Sequence, residues 1–174
     1  MSKIKFDYVK FKDYVMGLAT EVAKDTAFEI RDDIKKSMVN SPEWSEKTYY
    51  REGRKHHPSQ PGNPPRIDYG RLHDSISVNW QGSGMTNGEV GSRAYSTDGV
   101  SQPTIQGQVV IGTGVPSKDK KGTPLWQLLE GGTTKMKKRP FLLSQLGRYK
   151  RIIEKHLKKM GTKKYLLGLA KTFK

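Results

Sequence analysis

The sequence predicts an α+β fold. A small, mainly antiparallel β-sheet packs against a long N-terminal helix and a basic C-terminal helix, with a long Pro/Gly-rich loop between them. Three observations predict it. Apolar residues recur at helical spacing over the first forty residues and again near the C-terminus. Short apolar runs with period-two alternation lie between those regions. Residues 41–70 hold five prolines and three glycines, which no regular helix tolerates.

Along the first helix, Phe11, Val15, Leu18, Val22, Ile30, Ile34 and Met38 form one stripe. Its polar face mixes charges, and Asp32 and Lys36 stand at the i,i+4 spacing of an ion pair. Asn40-Ser41-Pro42 ends the helix, because a residue before proline avoids the helical region. Residues 41–70 read as one long loop in which Trp44, Tyr49 and Tyr50 supply the packing surface. Ile76, Val78 and Trp80 alternate with Ser77 and Asn79, which predicts a strand with one apolar face. Asn87-Gly88 is a hairpin signal, Val90–Tyr95 a weaker strand, and Gln108–Thr113 a short buried strand. Pro124 suits the first position of a short helix capped by Thr123 and stopped by Gly131-Gly132. The last long helix is expected to start near Pro140. It buries Leu142, Leu146, Tyr149, Ile153, Leu157 and Met160, with Gly161 as its C-cap. The 174 residues divide into one domain over 1–160, including the extended loop 41–70, and a basic tail over 161–174.

Charge is distributed unevenly. The chain carries a net charge of +15, and from Lys135 to Lys174 fourteen Lys/Arg face one acid, Glu154. The rest of the chain is nearly balanced, so one end of the molecule is built to meet a polyanion or an acidic partner. The polyanion-facing candidates are Lys135, Lys137, Lys138, Arg148, Arg151, Lys155, Lys158, Lys159, Lys163 and Lys164. Aromatics are not interleaved with these cations in sequence, and no motif that reads bases is present. Salt-sensitive contact with a nucleic-acid backbone is therefore the most this region supports.

Catalytic chemistry finds little footing, and the expectation is a protein that is not an enzyme and carries no cofactor or metal. There is no cysteine, so disulfides and thiolate metal sites are excluded. His56, His57, His73 and His156 lack metal-ligand spacing. His73, Asp74 and Ser75 match no triad signature. Gly82–Gly88 reads as a hairpin turn rather than a dinucleotide loop, and Lys121-Gly122-Thr123 lacks a phosphate-binding loop before it. The opening MSKIKFDYVKFKD has no apolar run of signal-peptide length and no stretch reaches membrane-span length, so a soluble protein made in the cytosol is expected.

Two segments carry a resemblance. His57-Pro58-Ser59-Gln60-Pro61-Gly62-Asn63-Pro64-Pro65-Arg66-Ile67-Asp68-Tyr69-Gly70-Arg71-Leu72, with Asp74-Ser75-Ile76, resembles the SxPGxPPxxDTGxLxxSI run of tailed-phage neck and tail-completion proteins, the group that includes lambda's minor tail protein Z. Leu128-Leu129-Glu130-Gly131-Gly132-Thr133 followed by Lys138-Arg139-Pro140-Phe141-Leu142 is similar to the E-G-T and R-P-F-L element of the same group. The order of elements agrees over roughly Ala23 to Met160. Tyr69 stands where that group has Thr, and Gly131 where it tends to have an aromatic.

The resemblance implies a structural virion component of the head–tail junction or tail top, made in the bacterial host cytoplasm. It implies assembly with itself into a ring and contact with other neck or tail proteins (connector, terminator or tail tube), with DNA passing non-specifically through the channel and no membrane. The alternative is a free, sequence-nonspecific nucleic-acid-binding protein that uses the basic C-terminal region. For the first role, Trp44, Tyr49, Tyr50, Pro61, Gly62, Pro64, Pro65, Gly70 and Leu72 are the arm and subunit-interface candidates. Prolines hold such an arm extended, and Gly70 lets the chain turn into the strand. Glu130, Gly132, Thr133, Arg139, Pro140 and Phe141 are the structural loop candidates. Within that loop an ion pair between Arg139 and Glu130 is expected, with Phe141 as the core anchor.

Overall fold

The computed structural model describes residues 8–68, 70–80, 108–113, 115, 123–143 and 146–160. Helix α1 (Tyr8–Val39) leads to a hairpin, β1 (Tyr49–Arg51) and β2 (Arg54–His56). A one-turn helix α2 (Arg71–Ser75) precedes β3 (Ser77–Trp80), which pairs antiparallel with β4 (Val109–Gly112). Helices α3 (Leu125–Gly131) and α4 (Leu146–Met160) complete the described chain. The architecture is α+β as expected: among the described residues the long helices α1 and α4 accompany a small antiparallel sheet, β3–β4, and the β1–β2 hairpin forms a second one within the segment expected as loop.

Helix α1 packs through its second half. Val22, Ala27, Ile30, Ile34 and Met38 are buried, whereas Val9 and Val15 nearer the start are exposed. It ends at Val39, as Asn40-Ser41-Pro42 predicts, with the Asn40 N–H still donating to the Lys36 carbonyl. The Asp32–Lys36 pair gives way to a nearer partner: buried Arg31 holds Asp32 Oδ1 through Nη2 at 2.6 Å and covers the Phe28 ring. Ile30, Ile34 and Met38 meet Ile76, Leu129, Phe141 and Tyr149 in one core, with Leu72 packed at its edge.

The register of the second sheet runs from Ser77↔Gly112 to Trp80↔Val109. Ile76 and Val78 are buried as predicted, but Ser77 and Asn79 are buried too, so this strand has no open polar face. Trp80 meets Phe28 of α1 edge-on at 6.0 Å. β4 is only half-buried, because it borders an open apolar groove beside α4. The hairpin signal at Asn87-Gly88 and the strand at Val90–Tyr95 lie outside the described residues.

Three boundaries differ from expectation. Gly70 turns the chain in the left-handed region (φ 77°), but into α2 rather than directly into a strand. Pro124 is the extended residue before α3, at ψ 139°, so that helix starts at Leu125 without a side-chain cap. α4 starts at Leu146, because the backbone N–H groups of Phe141, Leu142 and Leu143 donate to the Glu130 carboxylate instead of facing a helical turn.

Helix α4 is also rotated from its predicted face. Tyr149 and His156 are buried and Ile152 packs on the core, while Ile153 and Leu157 are 42% and 51% exposed. The cause is electrostatic pairing along one flank. Arg148 Nη2 meets Asp33 at 2.8 Å, and Lys155 Nζ and His156 Nε2 both meet Glu29 at 2.7 Å. These contacts set α4 antiparallel to α1 and turn the opposite, apolar flank outward.

Lys155 and His156 hold the Glu29 carboxyl below its ordinary range. A depressed carboxylate contributes stability above its unfolded pKa and loses it as pH falls through the lowered folded value. Glu29→Gln should therefore lower the melting temperature at neutral pH. The gap to the parent should close as the pH falls below the carboxylate range, which thermal melts across an acid pH series would measure.

Candidate interaction cleft

Residues 41–68 form an arm with internal structure that the sequence reading leaves as loop. Glu52 and Gly53 both have positive φ, at 51° and 77°, the geometry of a tight type I′ turn. That turn pairs Tyr49 with His56 and Tyr50 with Lys55. The Gly53 signal between strand-forming residues is visible in the sequence, but Glu at the preceding position is poor turn chemistry and masks it. Tyr50 is 76% exposed and Tyr49 54%. Trp44 is half-buried, with its backbone N–H donating to the Pro58 carbonyl and the Lys47 ammonium over its ring.

The root of the arm is fastened in several places. Ser41 Oγ donates to the Pro64 carbonyl at 2.5 Å, and Glu43 bridges Ser59. The Gly62 N–H donates to the Lys138 carbonyl, and Arg66 pairs with Glu43 at 3.0 Å. Pro58 and Pro65 are buried, whereas Pro61 and Pro64 are half-buried. Of the arm candidates, Tyr49 and Tyr50 therefore face outward, while Leu72 belongs to the core edge and Gly70 to the start of α2.

The second motif forms the wall opposite. Gly132, at φ 75°, ends α3, and a Cβ there would sit 3.0 Å from the Met136 carbonyl oxygen. Thr133 Oγ1 accepts from the N–H groups of Lys135 and Met136, closing a turn that displays Lys135, Lys137 and Lys138. Pro140 is half-buried, and Phe141 is fully buried.

The expected Arg139–Glu130 pair does not form. Glu130 Oε1 accepts from the Phe141 and Leu142 N–H groups at 2.7 and 2.5 Å, and so caps the loop. Arg139 points the other way, donating through Nε and Nη2 to the Ser59 carbonyl and through Nε to Ser59 Oγ at 3.1 Å. Three consecutive backbone donors outcompete one guanidinium for the carboxylate, since they lie in the same turn and would otherwise be unsatisfied. Sequence reasoning missed Ser59, which is fully buried and lies in the first motif.

Between arm and loop lies a cleft of about 640 Å³, lined by Tyr49, Tyr50, Arg66, Lys135, Lys137 and Arg139 among others. Cations from the basic set thus meet the aromatics of the arm, although the sequence keeps them far apart. The rest of the basic set divides. Arg148 and Lys155 are engaged with α1, Arg151 and Lys158 lie exposed on the outer face of α4, and Lys159 is also exposed. Lys163 and Lys164 lie outside the described residues.

The histidines do not converge. His56 sits 3.7 Å from Asp68, His57 Nδ1 donates to the Lys47 carbonyl at 3.0 Å, and His73 meets Asp74 at 2.9 Å. Ser75 Oγ turns instead to Leu72 O and Thr113 Oγ1, so no triad is assembled there. Among the described residues no group of His, Asp and Glu has the arrangement of a metal site, and no helix is long and apolar enough to cross a membrane. No protein-family model matches the chain, and neither a curated protein nor a solved structure is significantly similar to it.

Proposed function

We propose that this chain is a structural virion protein of a tailed phage, acting in head–tail joining or tail completion as one subunit of an oligomeric ring. The observation that carries the reading is the mutual fastening of the two motif segments. Arg139 of the second grips Ser59 of the first, and the Lys138 carbonyl receives the Gly62 N–H. Together they fix the root of an arm whose tip exposes two tyrosines. A fixed, extended arm loses little further entropy when it docks on a neighbour, and aromatic tips are what subunit interfaces favour.

In a ring the contact is heterologous, with the arm of one subunit meeting a different surface of the next. Its partners are further copies of itself and adjoining connector, terminator or tail-tube proteins. Exposed Arg151 and Lys158 on the outer face of α4 suit contact with DNA in the channel or with an acidic neighbouring ring.

Light scattering and negative-stain microscopy of the purified protein, alone and with tail tubes, test this. Rings, or a species that forms only on tubes, are expected, and Tyr49→Ser with Tyr50→Ser should abolish them while leaving the melting temperature unchanged. A monomer under all conditions, binding DNA with a steep salt dependence, would replace this reading with that of a free nucleic-acid-binding protein.

A further inference from the structure

We infer that the cleft between the arm and the Thr133–Arg139 loop is a binding site for an extended acidic peptide segment of a partner protein. The inference goes beyond the ring proposal, because a monomer has the same cleft.

The strongest indication is Arg139. The residue is 7% exposed, lines the cleft and carries a full charge, yet no carboxylate among the described residues pairs with it. Its bonds go to the Ser59 carbonyl and hydroxyl and, at 3.4 Å, to the Lys137 carbonyl. Neutral acceptors leave a buried guanidinium short of its counter-charge, and a planar fork of five N–H donors is matched best by a carboxylate. Lys135 and Lys137 stand exposed at the rim, neither in an ion pair with a described residue, whereas Arg66 on the same cleft is already paired with Glu43. Against these the cleft holds one acid, Asp68, which lies beside His56.

The shape selects a peptide over a nucleic acid. Tyr49 and Tyr50 both border the cleft, but they are consecutive on one strand and so do not form the i, i+2 row on one face along which successive bases could stack. The face of Trp44 is already occupied by Lys47. The β1–β2 hairpin is paired with no other described strand, so its outer edges are open to an added extended segment. Main-chain pairing along that edge would place alternate side chains of the peptide toward the cations.

Fluorescence anisotropy with a labelled peptide of alternating glutamate and valine tests the site. The glutamine counterpart and a labelled oligothymidine serve as comparison probes. The glutamate peptide should bind, and the glutamine peptide should bind at least about tenfold more weakly, the loss expected from about one charge-assisted contact. The K135E/K137E pair, both exposed and remote from the core, should weaken the glutamate peptide by about tenfold or more, whereas the R151E/K158E pair on α4 should change it by less than about twofold. The Nε–H resonance of Arg139 should shift on titration. Absence of binding, equal affinity for the glutamine peptide, tighter binding of oligothymidine, or equal losses from the two charge-reversed pairs would each overturn the inference.

Discussion

Phe141→Ala is expected to lower the unfolding free energy by about 3–5 kcal/mol, the range for emptying a buried phenylalanine site. Phe141 has no exposed surface and sits in the cluster where Ile34 and Met38 of α1 meet Ile76, Leu129 and Tyr149. The surrounding groups cannot close the cavity easily. The Tyr149 hydroxyl donates to the Phe141 carbonyl, and the backbone at 141–143 is pinned to Glu130. Chemical denaturation should show a lower midpoint with an unchanged slope. Tyr50→Ala, on the exposed arm tip, should stay within about 0.5 kcal/mol of the parent. A Phe141→Ala loss below about 1 kcal/mol would remove Phe141 from the core.

Glu130→Ala should be the second costly change, at about 2–4 kcal/mol, because it strips the acceptor from two short hydrogen bonds to charged oxygen at once. Glu130→Gln separates two explanations of that loss. Glutamine keeps an oxygen that can receive the Phe141 and Leu142 N–H groups, so its cost should fall to about 1 kcal/mol. If Glu130 instead served as a counter-ion, Gln and Ala would be equally damaging. Denaturant midpoints of the two variants decide between them.

These variants mark where the sequence was readable and where it was not. The stripe ending in Ile30, Ile34 and Met38 announced α1 and the core it enters, because a period near 3.6 survives whatever packs against it. The strand at Ile76 and Val78 was legible for the same kind of reason. Phe141 as anchor followed from its place in the motif. What a sequence shows poorly is competition for one partner. Glu130 had two suitors, a guanidinium and a row of backbone N–H groups, and only three-dimensional placement shows that the backbone wins.

The rotation of α4 has a similar origin. By apolar spacing alone Ile153 and Leu157 belong inside, but Glu29 and Asp33 on α1 draw Lys155 and Arg148 to one side and leave that flank outside. The cleft was the least legible feature. Its aromatic wall lies near residue 50 and its cations near residue 137, and nothing local links them.

The Ser59–Arg139 contact joins residues 80 positions apart, and that separation sets an order of events during synthesis. The β1–β2 hairpin needs only its own few residues and can close early, since local contacts form first. Its mounting cannot. While the chain is still emerging from the ribosome, the arm's sequence is present long before Arg139 has been added to receive Ser59. The tyrosine tip therefore reaches its fixed position only after most of the chain has been made. A nascent chain carries the tyrosine tip but not yet the bracket that aims it, so if the tip is the subunit contact proposed above, the timing of translation itself disfavours premature association between unfinished chains.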